Sequence, residues 1–104
     1  MPKVIVTPDT LEEIARHVLL GKVKKLKVAR YKTGVKAGQL YAEYSLKEDS
    51  LVVANSSAAR TSASSFLNKA AQHLRKGQLR DIIMYKRDAN TEEYTHRMEL
   101  GGTK

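Results

Sequence analysis

Apolar residues recur at helical spacing in two places and alternate with polar ones over most of the remaining chain. Leu11, Ile14, Ala15, Val18 and Leu19 form one stripe of a 3.6-residue period, which predicts a helix ending at Gly21. Thr7-Pro8 ahead of it reads as an N-cap with proline at the first helical position, and Thr10 with Glu13 offers an alternative capping box. A second stripe, Ala63, Phe66, Leu67, Ala70 and Leu74, predicts a helix from about Thr61 to Lys76, stopped by Gly77. Strand alternation appears in "KVIVT", "KKLKVARYK", "QLYAEYSL" and "LVVAN", and again in the hairpin "RDIIMYKRDANTEEYTHRMEL".

The alternation also assigns faces. Leu26 and Val28 share one face, and Lys25, Lys27 and Tyr31 the other. Leu40, Ala42, Tyr44 and Leu46 point one way, and Tyr41, Glu43 and Ser45 the opposite way. Pairing Leu46 near Leu51 sets Tyr44 against Val53, and a register placing Tyr31 beside Tyr41 keeps the faces consistent. In the last hairpin, Ile82 and Met84 pair with Met98 and His96, with Arg87 near Glu93. The resulting order is β-α-β-β-β-α-β-β. It describes an α+β fold with a three-stranded antiparallel meander packed by two helices and followed by a C-terminal β-hairpin. Residues 1–100 are expected to form a single domain, and 101–104 a frayed tail.

Charge changes this picture more than composition does. The 104 residues carry a formal net charge of +8 and no cysteine, which excludes disulfides, thiolate metal sites and a cysteine nucleophile. The beginning "MPKVIVTPDT" lacks the apolar region of a signal peptide, and no apolar run approaches the roughly 20 residues of a membrane span. A soluble, cytoplasmic protein with no membrane partner is expected. From Ile14 to Ala42 there is no acid, and Arg16, Lys22, Lys24, Lys25, Lys27, Arg30, Lys32 and Lys36 all fall there. A second acid-free stretch, Asn55 to Arg80, holds Arg60, Lys69, Arg75, Lys76 and Arg80. Segregated positive charge of this kind points to a polyanionic partner.

Within the second stretch lies "NSSAARTSASS", whose five serines, threonine and arginine stand just ahead of the helical stripe with no acid in the run. Free amide groups, hydroxyls and Arg60 at a positive helix end suit a phosphate; the bland alternative is a polar loop capping its own helix. The basic strand face offers a second candidate, because cations neutralise phosphates and a tyrosine ring can stack on a base. The alternative there is that the C-terminal hairpin covers Tyr31 and Tyr41. With five tyrosines, one phenylalanine and no tryptophan, phosphate contact outweighs base reading. Catalysis has little support. His17, His73 and His96 are far apart, and neither a metal-ligand spacing nor a phosphate-cradling glycine loop occurs. Neither a cofactor nor a metal is expected.

Two partial resemblances accompany these readings. The α-β-β-β-α order from Leu11 to Lys76 resembles a double-stranded-RNA-binding domain, in which the start of the second helix contacts phosphates through lysines; the matching positions here read Ser62-Ala63-Ser64-Ser65-Phe66. The segment "GKVKKLKVARYKTGVKAGQLYAEY" is similar to the middle of an RNA-recognition motif, with Tyr41 and Tyr44 at aromatic positions of its central strand and Gln39 at another. The expectation is a small non-enzymatic protein binding DNA or RNA through the backbone, as a monomer or homodimer. Its candidate contacts are Lys25, Lys27, Arg30, Tyr31, Lys32, Lys36 and Tyr41 on the sheet, and Arg60, Ser62, Lys69, Arg75 and Lys76 on the second helix. A protein-interaction module docking on an acidic partner is the alternative.

Overall fold

The helices form where the apolar stripes place them, and their ends are decided locally. In the computed structural model, which describes residues 3–46, 58–86 and 94–101, helix α1 spans Pro8–Leu19. Thr7 is its N-cap: the hydroxyl oxygen accepts from the Thr10 amide at 3.2 Å, while Pro8 loses nothing by lacking an amide hydrogen in the first turn. At the other end Gly21 takes φ +73°, its amide donating to Val18 and that of Lys22 to His17, which satisfies carbonyls the helix leaves open. Helix α2 spans Ala58–Arg75 and stops the same way, with Gly77 donating to Leu74 and Gln78 to His73. It starts about a turn earlier than the apolar stripe implies, because the stripe extends back through Arg60.

The strands are β1 (Val4–Ile5), β2 (Val23–Arg30), β3 (Leu40–Leu46), β4 (Leu79–Lys86) and β5 (Tyr94–Leu100). They make one open antiparallel sheet in the order β1-β3-β2-β4-β5. The α+β class and the C-terminal hairpin stand as expected, and Ile82 pairs with Met98 and Met84 with His96 as the alternation requires. The three-stranded meander needs correction. On the outer side of β3, Tyr41 and Ala42 are paired with Ile5 and Val4 of β1, so the first strand joins the sheet beside β3 and the described sheet has five strands. Residues 51–55 themselves, like the Arg87–Glu93 contact, lie outside the described residues.

Both helices pack on one face of this sheet. Leu26 and Val28 of β2, Leu40 and Ala42 of β3, and Ile82 and Met84 of β4 join Leu11, Ile14, Val18, Leu67 and Ala70 in a single buried cluster. Fully burying one such leucine or isoleucine contributes about 1.5–3 kcal/mol, so this face is energetically committed. The helices run antiparallel: Ser64 of α2 donates to the Ala15 carbonyl at 3.0 Å, and Arg75 at the end of α2 reaches the first turns of α1. Among the described residues no helix is long and apolar enough to cross a membrane.

The Arg75 fork is a surface pair with a defined pH signature. Its guanidinium donates to both Glu12 carboxylate oxygens at 2.7 and 2.9 Å and to Asp9 at 3.0 Å. The hydrogen bond from Arg75 holds the Glu12 carboxyl below its ordinary value. A depressed carboxyl contributes stability above its unfolded value and loses it as pH falls through the folded one. Thermal melts between about pH 5 and pH 3 are therefore expected to fall more steeply for the parent than for Glu12→Gln, by a small margin because both side chains are well solvated. Parallel melting curves would remove the pair from the account.

Candidate functional site

With α1 and α2 on one side, strand alternation leaves the other side of the sheet uncovered among the described residues. Beyond the irregularities after Val23 and Leu79, the strands send odd-numbered side chains there: Ile5 from β1, Tyr41 and Glu43 from β3, Lys25, Lys27 and Ala29 from β2, Ile83 and Tyr85 from β4, and Thr95 and Arg97 from β5. Ile83 remains 40% exposed and Ile5 51%, values that fit an outer surface. The described strands of the C-terminal hairpin do not cover this face. They lengthen the sheet edgewise, β4 pairing with β2 through Val28 and Met84, and so leave Tyr31 and Tyr41 outside the core.

The two tyrosines form the centre of the face. Their ring centroids lie 4.6 Å apart at 39°, the diagonal neighbours of a pairing that sets Ala29 opposite Tyr41. Lysines surround them. Lys3 Nζ sits 4.9 Å from the Tyr41 centroid and 5.3 Å from that of Tyr31, Lys27 approaches Tyr41 at 6.0 Å, and Lys36 approaches Tyr31 at 6.0 Å. Tyr41 is only 8% exposed, whereas Tyr31 is half-buried. Lys36 is delivered by the turn between β2 and β3, where Gly34 and Gly38 adopt φ +86° and +90°, a region that glycine enters without steric cost. Lys3 pairs with Glu43 at 3.8 Å, while Lys25, Lys27, Lys32, Lys36 and Arg97 have no ion-pair partner among the described residues.

Beside the tyrosines the face is concave. A groove of about 390 Å³ runs from the end of β2 across β4 to β5, lined by residues 29–32, among them Tyr31, Arg30 and Lys32, by residues 81–83 and by Arg97. Continuing the β2–β4 register sets Ala29 across from Ile83, which itself pairs with Arg97, so a methyl and a branched alkyl group make the floor of the groove.

The five expected contacts on or just after α2 do not belong to this face, and Arg30 of β2 is already engaged. Arg30 follows Leu26 and Val28 in parity, yet it also lines the groove: its guanidinium donates to the Gly38 and Arg80 carbonyls and lies 3.6 Å from Asp81. It ties the turn after β2 to β4. Arg60 is 2% exposed, because the buried stripe of α2 runs through it, and a buried guanidinium does not present its charge to an outside anion. Arg75 is held by Glu12 and Asp9 of α1, acids that the sequence places far away but the antiparallel helix pair brings alongside.

The remaining helix candidates are exposed but face away from the sheet surface. Ser62 and Lys69 occupy the solvent side of α2, opposite its buried Ala63, Leu67 and Ala70, and Lys76 follows its last turn. The candidate cations of the two runs therefore do not converge, since Lys25 and Lys27 lie on the bare sheet face and Lys69 on the helix layer. Ser62 is also not a cap, because α2 already begins at Ala58; its first turn holds no acid, and the serines before it lie outside the described residues.

Sequence reasoning missed Lys3, Ala29, Ile83, Asp81 and Arg97. Alternation alone would have put Lys3 beside Ile5, and the Ile82–Met98 register already implies Ile83 opposite Arg97. What it lacked was the pairing of β4 with β2 that brings them to the tyrosines. Tyr44, by contrast, faces α1: burial and then the nearby Glu13 carboxylate push its hydroxyl above the ordinary range. The paired aromatics of an RNA-recognition motif's central strand are thus divided here between opposite faces. The histidines are scattered, with His73 bonded to Gln78 at 3.3 Å and His96 packed on Phe66 at 4.4 Å. No protein-family description matches the chain, and no curated protein or solved structure does either.

Proposed function

We propose that this protein is a non-enzymatic nucleic-acid-binding protein that contacts the phosphate backbone through the bare face of its sheet. The observation that carries the reading is that Lys25, Lys27, Lys32, Lys36 and Arg97, without ion-pair partners among the described residues, share with the Tyr31–Tyr41 pair a surface that neither helix covers, Lys27 and Lys36 lying against the rings. Cations in such a position displace condensed counterions from a polyanion, so affinity depends on salt. The helix-layer residues Ser62, Lys69 and Lys76 take no part, being on the other side.

The test is binding of labelled single-stranded and duplex oligonucleotides of unrelated sequence between 50 and 200 mM salt. With roughly three to five phosphates contacted, log affinity is expected to fall with log salt at a slope of about −2 to −4. Absence of binding at the lowest salt, or binding indifferent to salt, would defeat the proposal.

A second reading is favoured by one feature. Strand β5 is the last in the sheet order, and its exposed edge can accept a further strand from an acidic protein segment. Failure to bind heparin or polynucleotide, together with co-purification of one acidic protein, would select it.

A further inference from the structure

We propose that the groove between Tyr31 and Arg97 is a pocket for one unpaired nucleobase, which makes the ligand a single strand in preference to a duplex. The inference rests on the nucleic-acid reading above and adds what the groove itself takes. Its chemistry is mixed in a way that suits a base and not a phosphate. Ala29 and Ile83 give an apolar floor, the half-buried Tyr31 supplies a ring at one side, and Arg97 brings a planar guanidinium from β5 at the other. A flat, apolar-faced heterocycle fits between them.

Asp81 argues in the same direction. Its side chain is 57% exposed in the groove, with Oδ1 accepting from the Ile82 amide at 2.9 Å and lying 3.6 Å from Arg30 Nε. A carboxylate at that place repels a phosphate but accepts a hydrogen bond from the N–H edge of a base. The phosphates on either side of the inserted base then lie over the lysines that ring the groove: Lys32 on its wall, Lys36 beside Tyr31, and Lys27 one pair back along β2. A base in a duplex has its edge paired and its faces stacked, so it reaches this pocket only after unpairing.

Ala29 gives the cleanest handle. It is half-buried, it lies on the outer face, and its small size leaves the floor open. In Ala29→Leu the added alkyl group occupies the floor while every cation and both tyrosines remain. The probe is a 5′-labelled 12-nucleotide DNA single strand, compared with its duplex and with a strand of equal length and charge carrying abasic sites. Roughly 10-fold or more weaker binding is expected for the abasic strand and for the Ala29→Leu protein with the intact strand, each with an unchanged salt slope, and for the duplex at about 50 mM salt. Tyrosine fluorescence of the parent protein should be quenched by the intact strand and not by the abasic one, a readout that needs no variant. Equal affinity for intact and abasic strands, with salt-dependent binding retained, would overturn the pocket and leave the backbone-binding reading standing. No binding of any strand at low salt would overturn both.

Discussion

Reversing Lys25 and Lys27 to glutamate is expected to weaken oligonucleotide binding by at least 100-fold at about 50 mM salt and to lower the salt slope by about 1.4, the contribution of two single-strand phosphate contacts. The paired control is Lys69→Glu with Lys76→Glu. It removes the same charge from the chain, yet from the helix layer, and should change affinity less than about threefold, since screening leaves little influence beyond a Debye length of about 8–10 Å. The contrast is informative because the total charge, the property most evident from composition, is equal in the two proteins. Equal losses would mean that the whole basic surface binds diffusely, and the sheet face would no longer be singled out. All four side chains are exposed, so neither variant should disturb the fold by more than about 0.5 kcal/mol.

Truncating Leu67 to alanine should destabilise the protein by about 2–5 kcal/mol. Leu67 is completely buried at the middle of α2, within the cluster that joins both helices to β2, β3 and β4. Alanine removes its transfer free energy and leaves a void that antiparallel helices packed on a rigid sheet fill only in part. A domain of this size holds roughly 5–15 kcal/mol in total, so the loss should be evident as a lower urea midpoint with an unchanged m-value. The consequence reaches function, because it is the seating of α1 and α2 on one face that leaves the other bare. A loss below about 1 kcal/mol would contradict that seating, and the assignment of an outer face with it.

Much of the candidate face was legible from alternation. Lys25, Lys27 and Tyr31 have the same parity in β2, Tyr41 has the outward parity in β3, and the hairpin length lets them meet. Arg30 shares the parity of Leu26 and Val28, and its charge within a basic run does not foretell that its guanidinium is engaged by the Gly38 and Arg80 carbonyls. Arg60 and Arg75 failed for a related reason. Charge in a sequence says nothing of a partner many residues away, and both were committed by helix packing, one inside the stripe and the other to acids of α1.

Periodicity, caps and register within neighbouring segments are short-range properties, set by backbone sterics and by which side of each element is apolar. The amino-acid order alone therefore determined both helices, their glycine stops at Gly21 and Gly77, the β4–β5 register and the facing of Lys27 and Tyr41. Which strands become neighbours across the sheet depends on how several apolar faces are buried at once, a requirement that no single window contains. Only the tertiary structure seated β1 beside β3 and β4 beside β2, turned the last hairpin into an extension of the sheet, and placed Lys25 and Lys27 on the side opposite Lys69. The groove at Ala29, with walls from strands distant in sequence, exists for that same reason.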